Sequence, residues 1–230
     1  MILKGLQKLT LLDFPGKVAA TLFTGGCNMR CPFCHNSLLV LSPNEVESIP
    51  AEEALAFLKK RQGILDGVCM TGGEPLLQAD LADFLAKVKE MGYAVKLDTN
   101  GTNPARLREL CEAGLVDYVA MDIKNSPSRY AETVGVKDFD LTPIFDSVGL
   151  LLAGGVDYEF RTTVVKEFHT EDDLLAIAKW IGGAKRYFLQ GYKDSGSLIS
   201  DGLSGFSAEE LRKMLCEVQK ILPVTELRGI

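Results

Sequence analysis

The 230-residue chain has no run of ~18 apolar residues, so no transmembrane helix is expected. Positive charge is not in excess: 25 Lys and Arg stand against 31 Asp and Glu, a net charge of −6. Neutralising phosphates takes clustered cations, so this balance speaks against an RNA or DNA partner. The first ten residues lack the basic start and long apolar stretch of a secretory signal, which points to the cytoplasm. Internal repeats, low-complexity tracts and composition breaks are missing too, so residues 1–230 are expected to form one domain.

The composition that remains is 47% hydrophobic and 24% charged, enough for a core of normal size. Of six cysteines, three fall within residues 27–34, and Cys69, Cys111 and Cys216 are scattered. In a cytosolic protein such clustering reads as metal binding before disulfide formation.

Residues 4–24 read as two strands joined by a turn at 13–17, and the second strand, 18–24, runs straight into the cysteines. Further strand-like runs lie at 67–71, 94–99, 116–123, 157–165 and 186–190, with helical patterns between them. Leu81, Phe84, Leu85 and Val88 follow helical spacing. Thr170 is a candidate N-cap for the stretch carrying Leu174, Leu175 and Ala178. Ser207 and Glu210 make a capping box ahead of Leu211, Met214, Leu215 and Val218. The alternation implies an α/β fold of βα units around a parallel sheet. About six units fit, whereas a full eight-unit barrel takes ~250 residues. The expected fold is therefore an open partial (β/α)6 TIM-like barrel with an N-terminal strand extension. A doubly wound sheet is the alternative, and in both the chemistry belongs at the C-terminal strand ends.

Cys27, Cys31 and Cys34 are spaced C-x3-C-x2-C. Closely spaced thiolates suit zinc or iron–sulfur. A closed zinc site wants a fourth ligand, but His35 is poorly spaced beside Cys34 and Cys69 falls inside a predicted strand. A [4Fe–4S] cluster on three thiolates keeps one iron open for a small molecule. Asp122 and Lys124 are expected on one strand face, pointing inward. Glu159, Arg161 and Thr163 share another inward face, with Tyr158, Phe160, Thr162 and Val164 on its reverse.

The C-x3-C-x2-C loop, with Phe33 before its last Cys, resembles the radical S-adenosylmethionine (SAM) superfamily. Cys34-His35-Asn36 resembles its glycyl-radical-enzyme activating branch. Further matches are Thr71-Gly72-Gly73-Glu74-Pro75, Asp98-Thr99-Asn100-Gly101, Met121-Asp122-Ile123-Lys124, and Arg161 with Thr163. The resemblance implies one [4Fe–4S] cluster on Cys27, Cys31 and Cys34, with SAM on its open iron. It implies SAM contacts from Asn36, Gly73, Glu74, Thr99, Asp122, Lys124, Arg161 and Thr163. The Gly-Gly-Glu-Pro strand end would bind the methionine amino group, and Lys124 or the planar fork of Arg161 would meet the carboxylate. The implied reaction is reductive cleavage of SAM to methionine and a 5′-deoxyadenosyl radical, which then takes a hydrogen atom from the substrate. It needs no general base. One departure is Gln190-Gly191-Tyr192, where formate-lyase activators carry a histidine near the nucleoside.

The implied substrate is a glycine Cα–H of a partner glycyl radical enzyme. No cysteine-rich insert separates Cys34 from Gly72, which disfavours activators with extra clusters, and no accessory domain is expected after the sixth unit. With Leu11-Leu12-Asp13-Phe14-Pro15-Gly16, the pattern looks most like activators of anaerobic ribonucleoside-triphosphate reductase. Activators of the pyruvate formate-lyase type come next, then radical SAM enzymes acting on small molecules. A flavodoxin or ferredoxin would supply the electron. Cys69, Cys111 and Cys216 read as buried small hydrophobes. His169 reads as structural, Trp180 as core or rim, and Glu171-Asp172-Asp173 as acids favourably facing a helix N-terminus.

Overall fold

A computed structural model describes residues 1–194, 196 and 198–230. The N-terminal pair of strands is β1 (Ile2–Thr10) and β2 (Ala19–Thr24). They are followed by α1 (Ser37–Leu41), β3 (Ile49–Pro50), α2 (Ala51–Lys59), β4 (Gly67–Gly72), α3 (Leu81–Glu90) and β5 (Ala94–Thr99). Next come α4 (Pro104–Glu112), β6 (Tyr118–Asp122), α5 (Tyr130–Val134), α6 (Thr142–Leu152) and β7 (Asp157–Val164). The chain closes with α7 (Glu171–Trp180), β8 (Tyr187–Gly191), α8 (Ala208–Gln219) and β9 (Thr225–Arg228).

The strands form one open sheet in the order β3-β1-β2-β4-β5-β6-β7-β8-β9. Every step from β2 to β9 is parallel, while β1 runs antiparallel to both β2 and β3. This is the expected partial barrel with its N-terminal extension. Two strands were not anticipated: β3, only two residues long, and β9, which makes a seventh parallel strand after the six expected. Among the described residues no helix is long and apolar enough to cross a membrane.

Side-chain alternation sets the two faces. Val68 and Met70 on β4, Val95 and Leu97 on β5, Val119 and Met121 on β6, and Tyr158 and Phe160 on β7 are buried in the core. They join Leu58 of α2, Leu85 of α3, Leu110 of α4, Ile177 of α7 and Val218 of α8 in one hydrophobic cluster. The reverse face carries Cys69, Lys96, Asp98, Asp122, Glu159 and Arg161. Strand register places these side by side: Cys69 with Lys96, and Asp122 with Arg161. Phe14, in the loop between β1 and β2, packs on Tyr118 at 6.1 Å between ring centroids.

Both helix starts hold. Thr170 caps α7 in a capping box with Asp173, and Ser207 does the same for α8 with Glu210. His169 is buried, its Nε2 2.8 Å from the Lys124 carbonyl, so its role is structural. Trp180 is half-buried at the rim, 4.7 Å from the Phe145 ring. Two of the three scattered cysteines differ from expectation. Cys111 is half-buried and Cys216 is exposed, because its position on amphipathic α8 falls on the solvent face. Cys69 is buried, but beside charge: Lys96 Nζ lies 3.8 Å from its sulfur.

Candidate active site

The cysteine loop leaves β2 and is pinned by backbone bonds to distant segments. Gly26 N donates to Leu39 O at 2.8 Å, Arg30 N to Val134 O at 2.8 Å, and Ser200 N to Pro32 O at 3.0 Å. Met29 and Phe33 are buried anchors, Phe33 lying 5.7 Å from the Phe168 ring. These anchors leave Cys27, Cys31 and Cys34 lining a cavity of about 250 Å³ at the C-terminal ends of the strands. Burial pushes the Cys31 thiol up to about 12 and raises that of Cys27. Loading a metal group would therefore release protons from both.

Among the described residues no three His, Cys, Asp or Glu side chains converge to hold a single metal ion. Three sulfurs spread around one cavity suit a cluster that takes each thiolate on a separate iron, and they disfavour the closed zinc alternative.

The end of β4 is fitted to the cysteine loop by glycine. Gly72 has φ +114°, and a Cβ on Gly73 would lie 1.9 Å from Gly26 O. Only a residue without Cβ permits this approach. Gly73 N donates to Thr24 O at 3.0 Å, Glu74 N to Gly26 O at 2.8 Å, and Asn36 Nδ2 to Gly72 O at 2.8 Å. The strand end and the loop thus form one rigid floor.

Glu74 does not line the cavity. Its carboxylate is 1% exposed and turned inward. Oε1 accepts from Leu76 N at 3.0 Å and Thr99 Oγ1 at 2.8 Å, and Oε2 accepts from Asn100 N at 2.7 Å. Burial pushes its pKa up to about 7, with these three donors pulling it back. The expected ligand contact gives way to a scaffold role, because the Glu74 carboxylate is buried off the cavity wall.

A chain of alternating charge crosses the lumen. Lys96 pairs with Asp98, Asp98 Oδ2 with Arg161 Nη1 at 3.3 Å, Arg161 Nε with Asp122 Oδ1 at 2.9 Å, and Asp122 Oδ2 with Lys124 Nζ at 3.0 Å. Burial alone would raise the Asp122 pKa. Arg161 and Lys124 outweigh it and hold the carboxyl well below the usual range. Burial likewise opposes the Lys124 charge, while Asp122 and Cys31 outweigh burial and raise its pKa. Two of the three Arg161 nitrogens are engaged by protein carboxylates, which leaves less of the fork for a ligand than its residue type suggested. Deeper in the lumen, Glu159 is gripped by Arg228 at 2.7 and 2.9 Å and by Tyr118 Oη at 2.9 Å.

The cavity gathers Asn36, Gly73, Thr99, Asp122, Lys124, Arg161 and Thr163 from the expected set. It adds Asp98, Asn100, His35 and Gln190, which were not assigned contacts. The signal for Asp98 was available: Lys96-x-Asp98 repeats on β5 the same-face charge pair that marked Asp122-x-Lys124. His35 Nε2 lies 2.7 Å from Lys193 O, and its ring 5.8 Å from that of Tyr192, so it supports the cavity wall.

An open parallel barrel with three cysteines, a glycine-lined strand end and a charged lumen around one cavity defines a class of cluster-bearing enzyme. Residues 21–181 match the radical SAM superfamily, and the chain belongs to that family. It is a radical SAM enzyme whose cofactors are a [4Fe–4S] cluster and SAM. The Methanocaldococcus jannaschii protein MJ1227, provisionally named a glycyl-radical enzyme activating enzyme, is 34% identical over 199 residues, 84% of this chain and 80% of that one. The pyruvate formate-lyase-activating enzyme of Clostridium pasteurianum is 34% identical over 125 residues, 52% of this chain and 51% of that one. Among solved structures, Streptococcus suis SuiB bound to SAM superposes with a TM-score of 0.70 at 15% identity, over 91% of this chain and 52% of that one. A domain of pyruvate-formate lyase-activating enzyme from Bacteroides vulgatus gives 0.59 at 18%, over 71% of this chain and 99% of that one. The chain thus spans about half the length of SuiB and of the clostridial enzyme. At these identities the two structures speak for the fold.

Proposed function

We propose that this chain is a glycyl-radical-enzyme activating enzyme, abstracting a glycine Cα hydrogen from a partner protein. The observation that carries this reading is the likeness to MJ1227 over 84% of the chain. Anaerobic ribonucleoside-triphosphate reductase is the first candidate partner, suggested by the Leu-Leu-Asp-Phe-Pro-Gly loop at 11–16 and the absence of a cysteine-rich insert before Gly72. Residues 1–230 act as one domain in the cytoplasm, with a flavodoxin or ferredoxin as electron source and with neither nucleic acid nor membrane as partner.

Cys27, Cys31 and Cys34 would hold the cluster, which when bound supplies the electron for reductive cleavage of SAM to methionine and a 5′-deoxyadenosyl radical. The remaining work falls to this chain's own groups. Gly73, Asn36 and Thr99 shape the wall beside the cysteines. Lys124 keeps N–H donors beyond its bond to Asp122 and can take the SAM carboxylate. Asp122 and Arg161 hold Lys124 in place, and Thr163 with Gln190 closes the opposite wall.

The test combines reconstituted protein, SAM, reductant and anaerobic ribonucleotide reductase under nitrogen. A glycyl radical by electron paramagnetic resonance, formed together with 5′-deoxyadenosine, is expected. It should vanish when the partner's acceptor glycine becomes alanine. Unchanged 5′-deoxyadenosine output with and without partner, rising instead with a small metabolite, would replace the activating reading with a small-molecule one. Cys27→Ala, Cys31→Ala and Cys34→Ala should each abolish SAM cleavage, whereas Cys69→Ala, Cys111→Ala and Cys216→Ala retain it.

A further inference from the structure

Among the described residues, Cys27 differs from its two partner cysteines in the donors aimed at its sulfur. Met29 N lies 3.4 Å from Cys27 Sγ, and Asn100 Nδ2 lies 3.7 Å away. The first bond follows from the local turn. The second reaches across 73 residues, from the loop after β5.

The direction of the Asn100 amide is settled by its neighbours. Its Oδ1 accepts from Thr102 N at 3.0 Å and from Thr102 Oγ1 at 2.7 Å. Its NH2 therefore faces the other way, donating to Asn28 Oδ1 at 2.9 Å and to Cys27 Sγ. Asn28 Nδ2 in turn donates to Thr102 Oγ1 at 2.9 Å, which closes a ring of hydrogen bonds. In that ring each donor meets an acceptor, so flipping either amide would set donor against donor. The Asn100 backbone is fixed as well, since its N–H is held by Glu74 Oε2 at 2.7 Å. Asn100 is 6% exposed, so water does not compete strongly for these groups.

We propose that Asn100 is a positioning residue that raises the reduction potential of the cluster by donating a hydrogen bond to the Cys27 sulfur. The inference rests on the assignment of Cys27 as a cluster ligand and is independent of which partner receives the radical. Reduction adds one electron, and part of the added negative charge falls on the cysteine sulfurs. An N–H aimed at such a sulfur stabilises the reduced form more than the oxidised form. The second N–H on Cys27 comes from a side chain outside the cysteine loop, so it can be removed without substituting any residue of that loop.

The experiment measures iron and sulfide content first, then titrates the cluster potential in the loaded protein without SAM. Asn100→Ala should load iron and shift the midpoint to more negative values. Asn100→Asp, which sets a carboxylate where the donor was, should shift it further in the same direction. Thr102→Val keeps the amide but removes one of the two bonds to its Oδ1, together with the acceptor of Asn28 Nδ2, and should give a smaller shift of the same sign. Parent-like potentials in Asn100→Ala and Asn100→Asp at full iron content would overturn the proposal. If the Asn100 variants fail to take up iron, an unchanged potential in Thr102→Val overturns it instead. A parent protein that binds no iron would remove the cluster assignment itself, and this inference with it.

Discussion

Arg161 and Asp122 are direct register partners on β7 and β6, and their side chains meet at 2.9 Å through Nε and Oδ1. The same guanidinium reaches Asp98 on β5, so one cation ties three adjacent strands together. Arg161 thereby allows two carboxylates to stay ionised in a largely enclosed lumen.

Arg161→Met should leave Asp98 and Asp122 without their shared partner. Breaking a buried pair costs roughly 3–5 kcal/mol, and the partial exposure of Asp122, 29%, favours the lower end. A loss of about 3 kcal/mol in denaturant unfolding of the metal-free protein is expected. A change below 0.5 kcal/mol would show the network to be energetically idle.

Lys124→Ala removes the cation with donors to spare at the cavity wall. A charged hydrogen bond is worth about 1.5–3 kcal/mol, so SAM affinity measured by calorimetry should fall roughly ten- to hundredfold while iron content stays at the parent level. Equal affinity would confine Lys124 to its ion pair with Asp122.

The pH dependence of the metal-free protein has opposed contributions. Asp98 and Asp122 have lowered pKa values, so their contribution is present above the ordinary carboxylate range and is lost as pH falls through their folded values. Glu74 runs the other way, its pKa rising from 4.5 to about 7, so its contribution is complete below 4.5 and is lost as pH climbs through 7. His169, lowered by burial, contributes stability that is fully present above its ordinary value and is lost as pH falls through its folded one. The Glu74 contribution is therefore read as a difference between parent and Glu74→Gln. Between pH 5 and 7.5 the parent should lose roughly 2–3 kcal/mol relative to the variant. Parallel stability curves for the two proteins would contradict this.

Gly73→Ala places a Cβ 1.9 Å from Gly26 O, immediately before Cys27. Backbone must move to relieve it, so the expected outcome is a folded protein by circular dichroism whose iron uptake is severely reduced. Full iron content would mean that the loop adapts without disturbing its cysteines.

Arg228→Ala strips the bidentate partner from Glu159, which is 1% exposed. Here too roughly 3–5 kcal/mol is at stake. Thermal unfolding should show the loss, and neutralising Glu159 as well, in Arg228→Ala/Glu159→Gln, should recover part of it.

Most of the scaffold was legible because parallel strands in a covered sheet are continuous apolar runs. Segment 67–71 stands out for that reason and 157–165 for its alternation of polar and apolar residues, while the capping boxes at Thr170 and Ser207 are written in a hydroxyl and an acid three residues apart. β9 was not legible. Thr-Glu-Leu-Arg carries no apolar run, and it is a strand because Thr225 packs into the core and Arg228 reaches Glu159, 69 residues away. β3 is too short to carry any period.

The site divides the same way. Spacing alone brought Cys27, Cys31 and Cys34 together, and same-face alternation placed Asp122 beside Lys124. Neither could say where Glu74 points. A motif position marks the residue, but its carboxylate turns inward because the N–H groups of Leu76 and Asn100 and the Thr99 hydroxyl converge there.

The amino-acid sequence by itself determined the order of strands and helices, the cysteine spacing, and the glycines that let β4 approach the loop. These are local properties, set by side-chain period and by the presence or absence of a Cβ. Tertiary structure decided what each charged group in the lumen is bonded to. Lys96, Asp98, Asp122 and Arg161 lie on three strands and Lys124 in the loop just past β6, and their pairing depends on register and on a shared low-dielectric interior that no single segment encodes.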